Sequence, residues 1–274
     1  MKYRWLLLLC LVSTLALAQG DPLPDEKGVV AAAKAKADAD PRNVELLLAL
    51  GNAQASVWRM TDSIASYTAG LAIDPDHVGL LLNRGHRYVS IGKYDLALKD
   101  LQAASDQIHP EPLTNELTDA FEISYHVGIA HYMQGDFAKS AAAWDRCREL
   151  ARTDDQRASS SDWSYMTYRR AKRDKEAAAI LEKVSPAWKI TGNASYFNRL
   201  LFYKGLKKEP ELLDEKAEPV AVATVSYGIG NWYLYNGDAA KARPYFEKAV
   251  ASKAWATWGY IGSKIELGRE LKRK

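Results

Sequence analysis

Five histidines, two cysteines and a few short acidic runs are the residues with which this chain could do chemistry. His126 and His131 stand five positions apart, which on a helix turns them to different sides and argues against a shared metal ion. His131 reads as a packed core histidine and His86 as a polar contact on an inner face. Asp154-Asp155 and "DEKAE" (214–218) read as solvated loop stretches, and Asn193-Ala194-Ser195 fits an N-glycosylation acceptor in a host that modifies exported chains. No H-E-x-x-H, G-x-S-x-G or phosphate-cradling glycine loop occurs. No catalytic residue, metal site or cofactor is therefore expected, and the chain reads as non-enzymatic.

The elements that would position such residues start after a leader. Lys2 and Arg4 precede the apolar run "WLLLLCLVSTLALA", and Ala16-Leu17-Ala18 is the pattern a signal peptidase reads. The run is short for a membrane span, and Cys10 lies inside it without the small residues that precede a lipidated cysteine. The expectation is an exported chain, periplasmic or extracellular, with no stable membrane insertion once residues 1–18 are removed. The net charge of +3 includes Lys2 and Arg4, so the processed chain stands at +1 and has no electrostatic footprint for nucleic acid. Cleavage also removes Cys10 and leaves Cys147 without an intramolecular disulfide partner.

A ruler then emerges from four glycines: Gly51, Gly85, Gly128 and Gly230. Twelve residues after each comes a small one (Ser63, Ala97, Ser140, Ala242). Sixteen after comes a bulky one (Tyr67, Leu101, Trp144, Phe246), and nineteen after another small one (Gly70, Ala104, Cys147, Ala249). Gly92, Gly135 and Gly237 fall seven after three of them, where a helix can end in a left-handed turn. Small residues belong where two helix backbones approach most closely, so each unit reads as two antiparallel helices, and Cys147 as a core residue. One such pair cannot bury its apolar face alone, so neighbours stack.

"GNWYLYNGDAAKARPYFEKA" (230–249) and "RGHRYVSIGKYDLALKDLQAA" (84–104) resemble the tetratricopeptide repeat (TPR) family, with Gly230, Tyr233, Ala242 and Phe246, and Gly85, Tyr88, Ala97 and Ala104, at the family spacing. Pro75 closes the first copy and Pro110 the second. The resemblance implies an all-α, right-handed superhelical solenoid of antiparallel helix pairs. The units expected are 43–77, 78–110, 121–153, a degenerate 160–216 and 223–253. A linker and capping helix (19–42) precede them, and a capping helix (254–274) covers the last repeat. Within the degenerate stretch, 163–184 reads as a pair with Ala177 and Leu181 at the A-x3-F places, and 193–215 as a helix followed by a short one with Pro210 in its first turn. Pro244 is expected to kink its helix. The layout is similar to that of exported NlpI-type helical-repeat proteins.

In the TPR family the concave groove is lined by first-helix residues at fixed offsets from the register glycine. The resemblance therefore implies a groove containing Asn52, Asn83, His86, Tyr125, Ile129, Tyr132, Tyr227, Asn231 and Tyr235. Tyrosine with asparagine suits an extended peptide, since the rings bury area at low entropic cost and the amides pair with backbone. Leu48, Ile129 and Met133 stand where a carboxylate-clamping site would need cations. The expected function is a scaffold that holds a peptide or protein partner, and the same face also admits a second copy of the chain. The alternatives are a glycan-binding module that uses surface aromatics and an enzyme without a recognisable motif.

Overall fold

The computed structural model describes residues 19–108, 116–192, 194–214 and 216–271. The expectations for the leader at 1–18, for Pro110 and for Asn193 lie outside these residues. The described residues hold thirteen α-helices, one 3₁₀ turn and no strand. A lone α1 (Val29–Ala39) precedes three pairs: α2 (Val44–Ser56) with α3 (Met60–Leu71), α4 (Val78–Ser90) with α5 (Tyr94–Asp106), and α6 (Glu116–Gln134) with α7 (Phe137–Leu150). Next come α8 (Asp154–Arg170) with a short α9 (Asp174–Glu182), then α10 (Ala194–Tyr203) and a 3₁₀ turn at Glu209–Glu211 that contains Pro210. The chain closes with α11 (Pro219–Tyr235), α12 (Ala239–Ala251) and α13 (Trp258–Leu271).

Local chemistry sets these starts. Asn43 and His77 accept from the backbone N–H groups of Leu46 and Leu80 at the heads of α2 and α4. Asp136 and Asp238 do the same for the second helices α7 and α12, accepting from Lys139 and Lys241. Each satisfies one of the orphan donors of a first turn. Thr153 and Gln156 form a reciprocal capping box that opens α8 nine residues ahead of the "WSYM" stretch at 163. Asp154-Asp155 is therefore a helix start and not a solvated loop. The Asp154 carboxylate accepts from the Lys189 N–H, and that of Asp155 from the N–H groups of Thr191 and Gly192. α12 continues through Pro244 as one helix.

The register glycines are contact points. A Cβ on Gly51 would lie 2.2 Å from the Tyr67 ring and one on Gly128 2.6 Å from the Trp144 indole. The bulky residue sixteen positions on thus rests on the glycine of its own pair, and Tyr67, Leu101, Trp144 and Phe246 are fully buried. Cys147 is equally buried, its thiol is pushed far up by burial, and it points at the Phe121 carbonyl. It is a packing residue.

The turn seven residues after the register position is left-handed in every pair. Gly92, Gly135 and Gly237 take φ of 75°, 86° and 89°, and Trp58 and Lys172 adopt it without glycine, at 61° and 58°. Lys172 marks Tyr165 as the register residue of α8–α9, where the pattern would place a glycine; its ring stacks on Tyr203 of α10, centroids 4.7 Å apart. A buried ion pair secures this irregular region. Arg199 of α10 bonds the Asp162 carboxylate of α8 through two nitrogens and donates a third bond to the Thr224 carbonyl of α11 at 2.7 Å.

Candidate functional site: the concave face and its occupant

The first helices α2, α4, α6, α8 and α11 supply the inner face, and α13 lies along much of it. Trp258 sits 5.2 Å from His86 of α4 and 6.0 Å from His126 of α6, ring centre to ring centre. Gly262 packs on the Tyr227 ring of α11, where a Cβ would come within 2.6 Å. Glu266 receives Arg170 of α8 at 2.9 Å, and Arg269 reaches the Met133 carbonyl of α6 at 3.1 Å. The final helix covers the last repeat, as its apolar pattern requires, and also crosses to the second and third.

The residues implied as groove lining therefore fall into two groups. Ile129, Tyr125, Tyr132, Tyr227 and Asn231 are buried inside the fold. Asn231 donates to the Tyr132 hydroxyl and accepts from Arg170, whose partner Glu266 is also held by Arg269, so α6, α8, α11 and α13 share one buried polar network. The Tyr125 hydroxyl accepts from the Trp163 indole at 3.0 Å and donates to Tyr196 at 3.2 Å. Asn231 and Tyr125 thus spend their polar groups within the chain, whereas the Tyr227 hydroxyl is buried without a hydrogen-bond partner. Tyr235 is half-buried beneath the Arg169 guanidinium, 4.6 Å from its ring centre.

The second group lies at the other end. Asn52 is exposed on α2, and Asn83 and His86 are half-buried on α4. Asn52 accepts from the Tyr67 hydroxyl at 2.8 Å, which leaves its amide N–H₂ free to donate. Asn83 donates to the Gly79 carbonyl at 2.8 Å, which leaves its side-chain oxygen free to accept. The two side chains together present a donor and an acceptor on an uncovered face.

His86 and His126 lie against each other with ring centres 3.9 Å apart and planes tilted by 35°. Burial lowers both, His86 well below its ordinary value and His126 to about 3, and the Arg87 guanidinium opposes protonation of either. Both rings are thus neutral near pH 7, and the 3.9 Å approach of Glu122 to His126 is no ion pair there. His126 instead donates to the Glu122 carbonyl at 2.7 Å. His131, expected in the core, is half-buried. No group of three or more His, Cys, Asp or Glu side chains among the described residues is arranged to hold a metal ion, and no described helix is long and apolar enough to cross a membrane.

The architecture defines a helical repeat solenoid. Residues 82–154 and 223–254 each match sequence profiles of the tetratricopeptide repeat, so the chain carries TPR units in those stretches. A tetratricopeptide repeat protein from Parabacteroides merdae has a similar structure, with 18% identity and a TM-score of 0.53 over 85% of this chain and 90% of that one. YrrB, a TPR protein with an unusual peptide-binding site, aligns over 83% of this chain and 96% of its own, at 13% identity and a TM-score of 0.48. MamA aligns over 57% and 79%, at 21% and 0.48. At such identities the likeness is one of fold. No curated protein sequence matches the chain significantly.

Proposed function

We propose that this protein is an exported, non-catalytic TPR scaffold, laid out like NlpI-type proteins, that holds a peptide or protein segment on the α2–α4 end of its concave face. One observation carries the reading: Asn52 and Asn83 keep one free donor and one free acceptor on α2 and α4, and the contact of α13 with α4 falls at His86, about one turn beyond Asn83. A peptide backbone needs that complement, one carbonyl and one N–H per residue. The buried tyrosines further along act in the fold and set the shape of the face.

The test is affinity capture from envelope and secreted fractions of the source organism, with the Asn52→Ala/Asn83→Ala variant as control. A partner retained by the unaltered protein and lost by the variant, at equal thermal stability, is the expected outcome. Equal capture by both would overturn the assignment of this face. Fractionation tests the export component: the chain should reach the periplasm or medium shortened at its N-terminus, and a full-length cytoplasmic product would refute it.

A further inference from the structure

The second helices α3, α5, α7 and α12 run 12, 13, 14 and 13 residues, but α9 stops after nine. The chain then runs irregularly from 183 to 192, and this segment is held by dedicated bonds. Lys204 donates to the Val184 carbonyl at 2.6 Å, and the α8 carboxylates of Asp154 and Asp155 take the backbone of Lys189, Thr191 and Gly192. What the shortened helix leaves open is a cleft of about 750 Å³ between α7, α8, α9 and the Trp188 indole. That volume is within the range of small-molecule sites, roughly 300–1,000 Å³. It lies against the second helices, away from the Asn52–Asn83 face.

The cleft's chemistry is unusual in its balance. Arg148, Arg157 and Lys183 face Asp145, Glu149 and Glu176, three cations against three carboxylates. An anionic ligand would meet as many like charges as opposite ones, and an aliphatic ligand would strand polar groups that need partners. Asp145 is fixed by the Tyr168 hydroxyl at 2.6 Å and by Arg148. Free capacity remains beside it. Ser161 is 8% exposed, lines the floor and has a hydroxyl with no hydrogen-bond partner within the protein, and the Lys183 amine and the Trp188 indole N–H are likewise unpaired. Trp188 is half-buried, braced by Phe197 with ring centres 6.1 Å apart, and forms a flat apolar wall with Ile180 and Ala179.

A ligand that satisfies all of this is neutral, rich in hydroxyls and apolar on one face. We propose that the α7–α9 cleft is a saccharide site, in which a sugar ring lies against Trp188 and its hydroxyls pair with the carboxylate and guanidinium groups and with Ser161. C–H bonds on the ring's apolar face meet the negative face of the indole. Hydroxyls both donate to carboxylates and accept from Arg and Lys, so a charge-balanced wall serves them fully.

Calorimetric titration of the purified protein with maltotriose, cellotriose and chitotriose, and sedimentation with insoluble cellulose and chitin, test the proposal. The two arms separate free sugar from polymer-borne glycan. At least one probe should bind with a Kd below about 10 mM, which corresponds to roughly 2.7 kcal/mol. Trp188→Ala should weaken it at least about tenfold while Trp188→Phe keeps most of it, and the exposed Glu149→Gln should weaken it without change in thermal stability. Absence of binding by every probe, or binding indifferent to both Trp188→Ala and Glu149→Gln, would overturn the site. Inorganic phosphate binding competitively with the sugar would overturn the neutral-ligand argument. Asn52→Ala/Asn83→Ala should leave saccharide binding unchanged, so this site and the partner face stand or fall separately.

Discussion

Trp255 donates its indole N–H to the carbonyl of Asp21 at 2.8 Å, 234 positions away in sequence, and so brings the end of the chain back to its beginning. The same ring stands edge-on to Trp58, centres 6.1 Å apart, in the α2–α3 turn. Leu23 donates to the Val57 carbonyl at 2.9 Å, so residues 21–23 link the first repeat to the α12–α13 junction. The contact stands at the head of α13, whose Trp258 reaches His86 of α4.

Trp255→Ala should therefore act at both ends. Truncation of a buried tryptophan costs about 3–5 kcal/mol. The melting temperature should fall by roughly 6–15 °C at this chain length. Amide exchange should accelerate in residues 20–25 and in α13 together. Faster exchange in α13 alone would show that the N-terminal segment is held independently of Trp255.

Arg199 and Asp162 have side chains only 1% and 0% exposed. Arg199→Leu leaves a carboxylate buried without its partner, for an expected loss of about 3–5 kcal/mol by chemical denaturation. The double variant Asp162→Leu/Arg199→Met removes both charges and should recover at least half of that loss. A double variant no more stable than Arg199→Leu would show that the pair is not coupled.

Much of this fold was legible because its determinants are local. The register glycines and their partners sixteen residues on are short-range packing pairs, and glycine betrays the left-handed turn at positions 92, 135 and 237. Trp58 and Lys172 make the same turn invisibly, since the geometry of the pair imposes it on residues that disfavour it. The candidate face was half legible. A groove position is fixed by its offset, but whether it meets solvent depends on how far small per-repeat rotations curl the solenoid, and that accumulates over the whole chain. Tyr132 and Asn231, 99 positions apart, bond each other because of that curl. The α7–α9 cleft arises where the repeat fails, so a ruler built on the repeat passes over Ser161 and Trp188.

Lys172 offers a direct reading of turn strain. It is exposed, carries φ of 58° and its side chain has no hydrogen-bond partner. The left-handed region costs a side chain about 1–2 kcal/mol, and glycine's extra freedom in the unfolded chain returns about 0.5–1 kcal/mol of that. Lys172→Gly should thus stabilise the protein by roughly 0.5 kcal/mol in urea denaturation. Gly128→Ala should instead destabilise it by about 1–3 kcal/mol, because the new methyl would press on the Trp144 indole in a filled core. A destabilised Lys172→Gly variant would mean that the lysine contributes elsewhere.

The His86–His126 pair predicts how stability responds to acid. Both imidazoles titrate well below 6.5 when folded, His126 near 3, and near 6.5 when unfolded. The unfolded chain therefore binds more protons below pH 6.5, and the folded state loses stability as pH falls through that point. The groups facing the pair set the size of the effect: Arg87 and the neutral Trp258 give no relief, and Glu122 is itself raised by burial and by Asp119. The expected loss approaches 1.4 kcal/mol per pH unit for each histidine, or about 2 kcal/mol each by pH 5. Surface aspartates such as Asp136 and Asp238, whose pKa values are lowered below the usual carboxylate range, contribute only at more acid pH. Melting temperature measured between pH 7.5 and 5 should fall in the unaltered protein and fall less steeply in His126→Gln, with His86 and His131, both also lowered by burial, keeping the rest of the slope. A variant with an unchanged slope would locate the acid sensitivity outside the His86–His126 pair.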